Sequence, residues 1–453
     1  MTGTNATTEQ IEQWLAEKLA LSADLENCEL TSDGRTMRLI YMKSLCDSKM
    51  IRRFFIAPFF EIRSMDLYVQ YISSLPSGIE FTNVVRALDL ILSGSVALFV
   101  DGKIYLLEAL QDVKSSVGDA TVEAIVQGPQ DAFTESIFTN LNLVRRRYKS
   151  SNLKIENSTV GYLSQTAVSL VYDDRKVDKG ILTDVKDKFS QLKVDKIQSS
   201  GELEKALSPQ GFRLVPTMMT TERPDRVIDN LSEGKIIILI DTSPFALILP
   251  STFFDFFTAM DDKVQLPFVG FFLLILRYVG LFMTLTLPAL YVAFTSYNPE
   301  ILKMNLTLLI AGSRASVPYP SFVEVLIMLV MMEFLIEASL RLPKAIGPTA
   351  TTVGGLILGT ASTEAGLVGS IMIILVAAVA ISNFVIPINM MSFSVRFAKY
   401  WFVLLAAIFG LLGVVVGVIG SILYLCNLRS FGRPYMRLFH IREQRSGGTD
   451  GHQ

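Results

Sequence analysis

The chain has 453 residues, half of them hydrophobic and 19% charged, with a formal net charge of −2 and a mean hydropathy of +0.42. This composition excludes intrinsic disorder and a collagen-like repeat, and the near-zero net charge gives no electrostatic footprint for nucleic acid. Cys28, Cys46 and Cys426 form no CxxC pair, and His440 and His452 fall near the C-terminus, so no zinc site, disulfide framework or histidine-based catalysis is indicated and no cofactor is expected.

Residues 1–20 lack the basic start and apolar core of a signal peptide. They read as an amphipathic helix capped by Thr7 or Thr8, with Ile11, Leu15 and Leu19 on one face. The polar half that follows is therefore expected in the cytoplasm. Short β-rich runs at 38–42, 96–100, 104–107, 167–172, 236–240 and 245–249 predict strands. Helical periodicity falls between them at 82–92, 131–148, 178–192 and 225–231. Two stretches are alike: VVRALDLILSGSVALFVDGKIYLLEAL at 84–110 and DRVIDNLSEGKIIILIDTSPFALILPS at 225–251. Each reads helix, glycine, apolar strand, aspartate turn, apolar strand; Asp101-Gly102 is a hairpin signal. An α/β region of two related subdomains is expected, with convergent patterning as the alternative to duplication.

Between them, Pro129 breaks the chain, Asp131 can cap a helix, and Phe133, Ile137, Leu141 and Val144 make an apolar stripe. Arg145, Arg146 and Arg147 end that helix. They are either solvated cations at the negative end of the helix dipole or a basic contact for anionic lipid or a partner.

Residues 267–427 carry only 12 of the chain's 84 charged side chains and no aspartate. The expected division is an N-terminal helix and lead (1–35), subdomains at 36–158 and 159–262, an α-helical multi-pass membrane domain at 263–427 and a cytoplasmic tail at 428–453. Four spans are expected at 268–294, 320–342, 365–386 and 401–426. The Gly-, Ala- and Thr-rich run PKAIGPTATTVGGLILGTASTEAG is too polar and glycine-interrupted for an ordinary lipid-facing helix. It is read as a re-entrant or broken segment at 345–363. Four spans put Arg341, Lys344 and the tail arginines Arg429, Arg433, Arg437, Arg442 and Arg445 inside, with both termini cytoplasmic. Lys303, Arg314, Arg396 and Lys399 fall in the outer loops as exceptions to the rule.

Arg277 is the single charge of the first span. In the second, Glu333, Glu337 and Arg341 stand at i, i+4 and i+8 on one face. A charge in hydrocarbon costs roughly 2.5–3.5 kcal/mol on insertion scales. These groups therefore line an aqueous path or pair across helices with groups such as Arg277; the alternative is a helix lying in the interface. Glu324, on the opposite face, is read as reaching the outer interface, and Glu364 as supporting the start of the third span. Gly355 with Gly359, and Gly413 with Gly417, form GxxxG pairs suited to close helix packing.

The segments TESIFTNLNLVRRRY, TERPDRVIDNLSEGKIIILIDTSPFALILPSTFFDFF, SLRLPKAIGPTATTVGGLILG, EAGLV and SFGRPYM, in this order, closely resemble the A-subunit family of GerA-type spore germinant receptors. The resemblance implies a bacterial endospore inner-membrane protein working with a permease-like B subunit and a lipoprotein C subunit. It also implies assembly, as a pentamer, into a channel that releases monovalent cations when nutrients trigger germination. A paralogous branch made late in sporulation is not separated from the receptor branch by these motifs. Spacing and cost, rather than the resemblance, select Glu333, Glu337 and Arg341 with Thr349, Thr351, Thr352, Thr360 and Thr363 as lining or supporting a cation pathway. A secondary transporter or permease and a non-conducting scaffold are the alternatives; no nucleophile–base pair suggests an enzyme.

Overall fold

The computed structural model describes residues 8–436, apart from 77, 113–116, 124, 126, 209–212 and 344–345. Lys344 and the tail residues Arg437, Arg442 and Arg445 lie outside the described residues. The chain forms two units, residues 1–211 with 218–250, and residues 212–217 with 251–453.

The first unit opens with α1 (Thr8–Leu19), whose Ile11, Leu15 and Leu19 are buried. Then come β1 (Leu25–Ser32), β2 (Arg35–Met42), α2 (Ser48–Ile51), a π-helical turn (Arg52–Ile56), α3 (Ala57–Glu61), α4 (Met65–Ser74), β3 (Gly78–Glu80), α5 (Val84–Ile91), β4 (Ser95–Val100) and β5 (Lys103–Glu108). The second half of the unit is α6 (Ile137–Arg147), β6 (Leu153–Val160), β7 (Thr166–Asp173), α7 (Lys179–Gln191), α8 (Ser200–Leu207), β8 (Met219–Thr221), α9 (Pro224–Ser232), β9 (Ile236–Ile240) and β10 (Ala246–Leu249). The two sheets have the same strand order, β1-β2-β4-β5-β3 and β6-β7-β9-β10-β8.

Residues 84–110 and 225–251, alike in sequence, occupy the same place in each sheet: a helix, an inner strand and its hairpin partner. The inner strands β4 and β9 are buried at every residue, which explains their unbroken apolar runs. Asp101 and Gly102 both adopt positive φ, joining β4 to β5 through a two-residue turn. All the named pairings are antiparallel. The layout is therefore α+β, hairpins separated by helices, rather than the α/β arrangement expected. The subdomain starts also move. β1 and β6 lie upstream of the first strands predicted in each half, because LENCELTS and LKIENSTV are edge strands too polar to show an apolar run.

Of the three arginines that end α6, Arg145 is buried, while Arg146 and Arg147 are partly exposed. Arg145 and Asp24 are 1% and 5% exposed and ion-paired, Nη2 to Oδ1 at 2.8 Å. Arg145 Nη2 also donates to Ser22 Oγ, and Ser44 Oγ donates to Asp24. Asn142 Nδ2 donates to the Ser44 carbonyl, and the Ala23 amide donates to the Ile155 carbonyl. Arg147 pairs with Asp131. The reading of these cations as a lipid contact or a solvated helix end is thus overturned for Arg145: it joins the two sheet-bearing halves. Burial pushes the Asp24 carboxyl up, but the Arg145 charge and the hydrogen bonds from Arg145, Ser22 and Ser44 outweigh it and hold it below its usual range.

The second unit is helical: α10 (Asp261–Val264), α11 (Pro267–Ser296), α12 (Met304–Ser313), α13 (Ser321–Arg341), α14 (Gly347–Glu364), α15 (Ser370–Phe384), α16 (Asn389–Phe409) and α17 (Leu411–Asn427), closed by a two-strand hairpin of β11 (Arg429–Ser430) and β12 (Arg433–Pro434). Among the described residues, α11 and α16 are long and apolar enough to cross a membrane. Two of the expected spans and one expected loop have a different helix extent. Residues 365–386 contain only the 15-residue α15, about 22 Å long and short of a bilayer core. Residues 401–426 are not one helix: the chain breaks at Gly410, with φ 59° and ψ −138°, a conformation open to glycine. Arg396 and Lys399, read as loop residues, lie within α16.

Over the run read as re-entrant or broken, α14 is one continuous 18-residue helix, so the break is absent. Thr351, Thr360 and Thr363 donate their hydroxyls to the carbonyls of Gly347, Leu356 and Gly359. Back-bonding to i−4 satisfies each hydroxyl within the helix, so the segment is less polar in structure than in sequence.

Candidate functional site: charged clusters among the apolar helices

Glu333 of α13 meets two cations of α16. Lys399 Nζ donates to Glu333 Oε1 at 2.8 Å and Arg396 Nε to Oε2 at 2.9 Å. The three side chains are 22%, 5% and 13% exposed. Phe393 and Tyr400 present rings to Arg396 and Lys399, which eases the charge of the cations. One carboxylate against two cations leaves the cluster one positive charge in excess.

A second cluster forms at the other end of α13. Glu324 is fully buried. Its Oε2 accepts from Arg314 Nε at 3.1 Å and from the Tyr291 hydroxyl at 3.4 Å, and its Oε1 accepts from the Gly369 amide at 2.7 Å. One carboxylate therefore ties together α11, the end of α12, α13 and the start of α15. The expectations for both acids are corrected. Glu324 does not reach outward, and Glu324 rather than Glu364 supplies the negative charge at the start of α15, where unpaired amides favour an anion. Glu364 is exposed at the end of α14.

Arg277, deep in α11, pairs not with the glutamates of α13 but with Asp262 of α10, Nη2 to Oδ1 at 2.9 Å, and donates to the Phe257 carbonyl. Glu337 and Arg341 do meet, Arg341 Nη2 donating to Glu337 Oε1 at 2.7 Å, yet they remain 55% and 79% exposed. The face shared by Glu333, Glu337 and Arg341 is thus divided between a packed acid and an open ion pair. Thr349, Thr352 and Thr360 of α14 are exposed, and Thr351 and Thr363 are half-buried.

The four GxxxG glycines contact different neighbours. Leu335 of α13 lies against Gly355, and Ile373 of α15 against Gly359. Gly413 and Gly417 pack α17 back onto α16. A methyl group at Gly413 would strike the Leu405 carbonyl, and one at Gly417 would come within 3.2 Å of the Phe402 ring.

Sequence reasoning missed Glu324, Arg396, Lys399 and Asp262 as partners. Arg396 and Lys399 carried a signal, since residues three apart share a helix face. Asp262 carried none, because its partner lies on another element.

Two of the quoted sequence segments have structural explanations. In the first unit, Arg223 is fully buried and donates to the carbonyls of Glu123 and Pro129. Arg226 pairs with the Glu123 carboxylate, and Glu222 accepts from the Glu123 amide. ERPDR is a latch on Val122, Glu123, Pro129 and Phe133. In the second unit, Phe431 and Gly432 at positive φ turn SFGRPYM into the β11–β12 hairpin. This places Tyr435 against Phe253 and Phe256, and the Phe253 amide donates to the Tyr435 carbonyl.

A chain with this paired-sheet unit, this charged apolar helical unit and these motifs matches the family model described as Bacillus/Clostridium GerA spore germination protein over residues 13–447, and it belongs to that family. It is 34% identical over 410 residues to spore germination protein KA of Bacillus subtilis (strain 168), covering 88% of this chain and 75% of that protein. It is 32% identical to spore germination protein B1 of the same organism, covering 88% and 84%. The N-terminal domain of the A subunit of the Bacillus megaterium spore germinant receptor GerK3 aligns with 55% of this chain and 96% of its own length, at 25% identity and a TM-score of 0.42.

Proposed function

We propose that this chain is a membrane-embedded A-type subunit in spore germination and that several copies surround a path for monovalent cations. In this reading it works beside a permease-like B subunit and a lipoprotein C subunit in the inner membrane of the endospore, with both termini cytoplasmic. Family membership supports the process. The observation that carries the conduction reading is the Glu337–Arg341 pair, more than half exposed on a helix of the apolar unit. An ion pair so placed is costly against lipid and suits a water-facing or subunit-facing surface. Glu337 then supplies the acid that favours cations, α14 with Thr349, Thr352 and Thr360 supplies exposed hydroxyls, and Glu333 braces α13 on α16.

One observation favours the scaffold reading instead. Glu333 is already matched by two cations and Glu337 by Arg341, so neither adds free negative charge to a ring. Recording from the purified chain in planar bilayers tests the choice. Cation-selective openings, with conductance and selectivity reduced in Glu337→Gln, are expected. A silent chain, or a variant indistinguishable from the unaltered protein, removes conduction through this helix. The mass of the detergent-solubilised particle tests the ring itself, since a single subunit excludes it.

A further inference from the structure

The second unit contains a cavity of about 420 Å³ that the proposed path does not use. Leu285 of α11, Trp401 and Leu405 of α16, Val416 and Gly420 of α17, and Leu214 are among the residues that line it. Ser394, Ser421 and Tyr424 are the hydroxyl-bearing residues of its lining, and the Tyr424 hydroxyl is engaged with the Leu214 amide at 3.1 Å. The mouth is apolar too: Trp401 and Val416 are 50% and 54% exposed. At Gly420 an added Cβ would meet nothing within 4 Å, whereas Gly417 one turn earlier is pressed against Phe402. An added side chain at 420 therefore has open space beside the lining.

From this geometry we infer that the cavity is a binding site for one acyl chain of an anionic phospholipid. Protein interiors are close-packed, and an apolar space of this size is of the scale that ligands fill. A helix from a second copy is about 10 Å across and does not enter a space bounded by three helices. A hydrocarbon chain does, and it is the apolar material that meets α16 if that helix crosses a membrane. Charge selects the headgroup. Arg213, next to Leu214, has its guanidinium on Thr217 Oγ1 at 3.0 Å, and Arg429 is exposed just beyond the end of α17. Arg213 precedes the lining residue Leu214 and Arg429 follows the lining residue Leu425 by four positions, and two arginines so placed favour a phosphate-bearing, net-negative headgroup over a zwitterionic one. The inference rests on the membrane placement of the second unit and is independent of ion conduction.

The chain has two tryptophans, and Trp401 stands at the mouth, so the test is optical. In full-length protein carrying Trp14→Phe, reconstituted in phosphatidylcholine vesicles, Trp401 emission is quenched by lipids brominated on the acyl chain. Brominated phosphatidylglycerol should outcompete brominated phosphatidylcholine for the site by about fivefold at low salt, the preference conferred by one arginine near the surface. Gly420→Phe should bring the two lipids to parity by filling the cavity, and Gly420→Ala should not. Arg213→Gln should reduce the preference for phosphatidylglycerol while leaving quenching by brominated phosphatidylcholine intact. Parity of the two lipids in the unaltered chain, or a preference that survives Gly420→Phe, overturns the site while leaving the membrane placement standing. Absence of quenching by either lipid overturns both.

Discussion

Glu333 and Lys399 lie 66 positions apart in sequence and meet at 2.8 Å across two helices. Arg396 closes on the same carboxylate, so α13 and α16 are joined through one acid and two bases. Such a cluster is held by geometry more than by net attraction, because each ion has given up its water.

Removing the acid is therefore predicted to do more harm than removing the whole cluster. Glu333→Gln leaves two cations facing each other in a poorly hydrated site and should cost about 3–5 kcal/mol of stability. Replacing Glu333, Arg396 and Lys399 together by Leu, Met and Met should cost less than the single change. Thermal unfolding of the three proteins in the same detergent decides the order.

The buried pair of the first unit makes a prediction with a pH dependence. Arg145→Ala orphans Asp24 and should also cost about 3–5 kcal/mol. In the unaltered chain the Asp24 carboxyl is held below its usual range. Its contribution is thus complete above the ordinary aspartate value near about 3.9 and is lost as pH falls from there through the lowered native value. Acid titration of unfolding should show that loss, and Arg145→Ala should lack it.

Glu204 of α8 works in the opposite sense. Burial alone pushes its carboxyl up to about 7. The raised value means that stability is greatest below the ordinary glutamate value near about 4.3 and falls as pH rises through 7. Glu204→Gln should remove that decline and leave the protein about 1–3 kcal/mol more stable than the unaltered chain at pH 8. Denaturant titrations at pH 5 and pH 8 would show it; equal pH dependence in both proteins would exclude it.

Gly410→Ala is predicted to disturb the break between α16 and α17. Its backbone lies where a side chain is strained, and an added Cβ would come within 2.9 Å of the Tyr297 ring. A cost of about 1–3 kcal/mol is expected. Proteolysis near residue 410 should quicken in the variant if the break is loosened, and an unchanged digestion rate would argue against it.

Much of the first unit could be read from the chain because its inner strands are unbroken apolar runs between turn residues. The predicted strand at 236–240 coincides with β9, and the predicted Asp101-Gly102 hairpin is present. β1 and β6 were hidden because edge strands need bury only part of one face. The site was less legible, for a physical reason. Charge within an apolar run announces that a partner exists but not where it is. Arg396 and Lys399 therefore read as loop residues, and Arg145 as a solvated helix end, until tertiary structure supplied their carboxylates. The break at Gly410 was hidden differently: both sides of it are equally apolar, so hydropathy has no edge there, and glycine alone is too common among apolar helices to mark a turn.

That turn also decides parity. Because α17 folds back along α16, Ile388 and Leu428 come to the same end of the helix pair. In the proposed membrane placement, the compartment that receives the chain as it leaves α15 also receives the β11–β12 hairpin. Cysteines placed singly at 387 and 432 should react with the same impermeant reagent from the same side of a sealed vesicle.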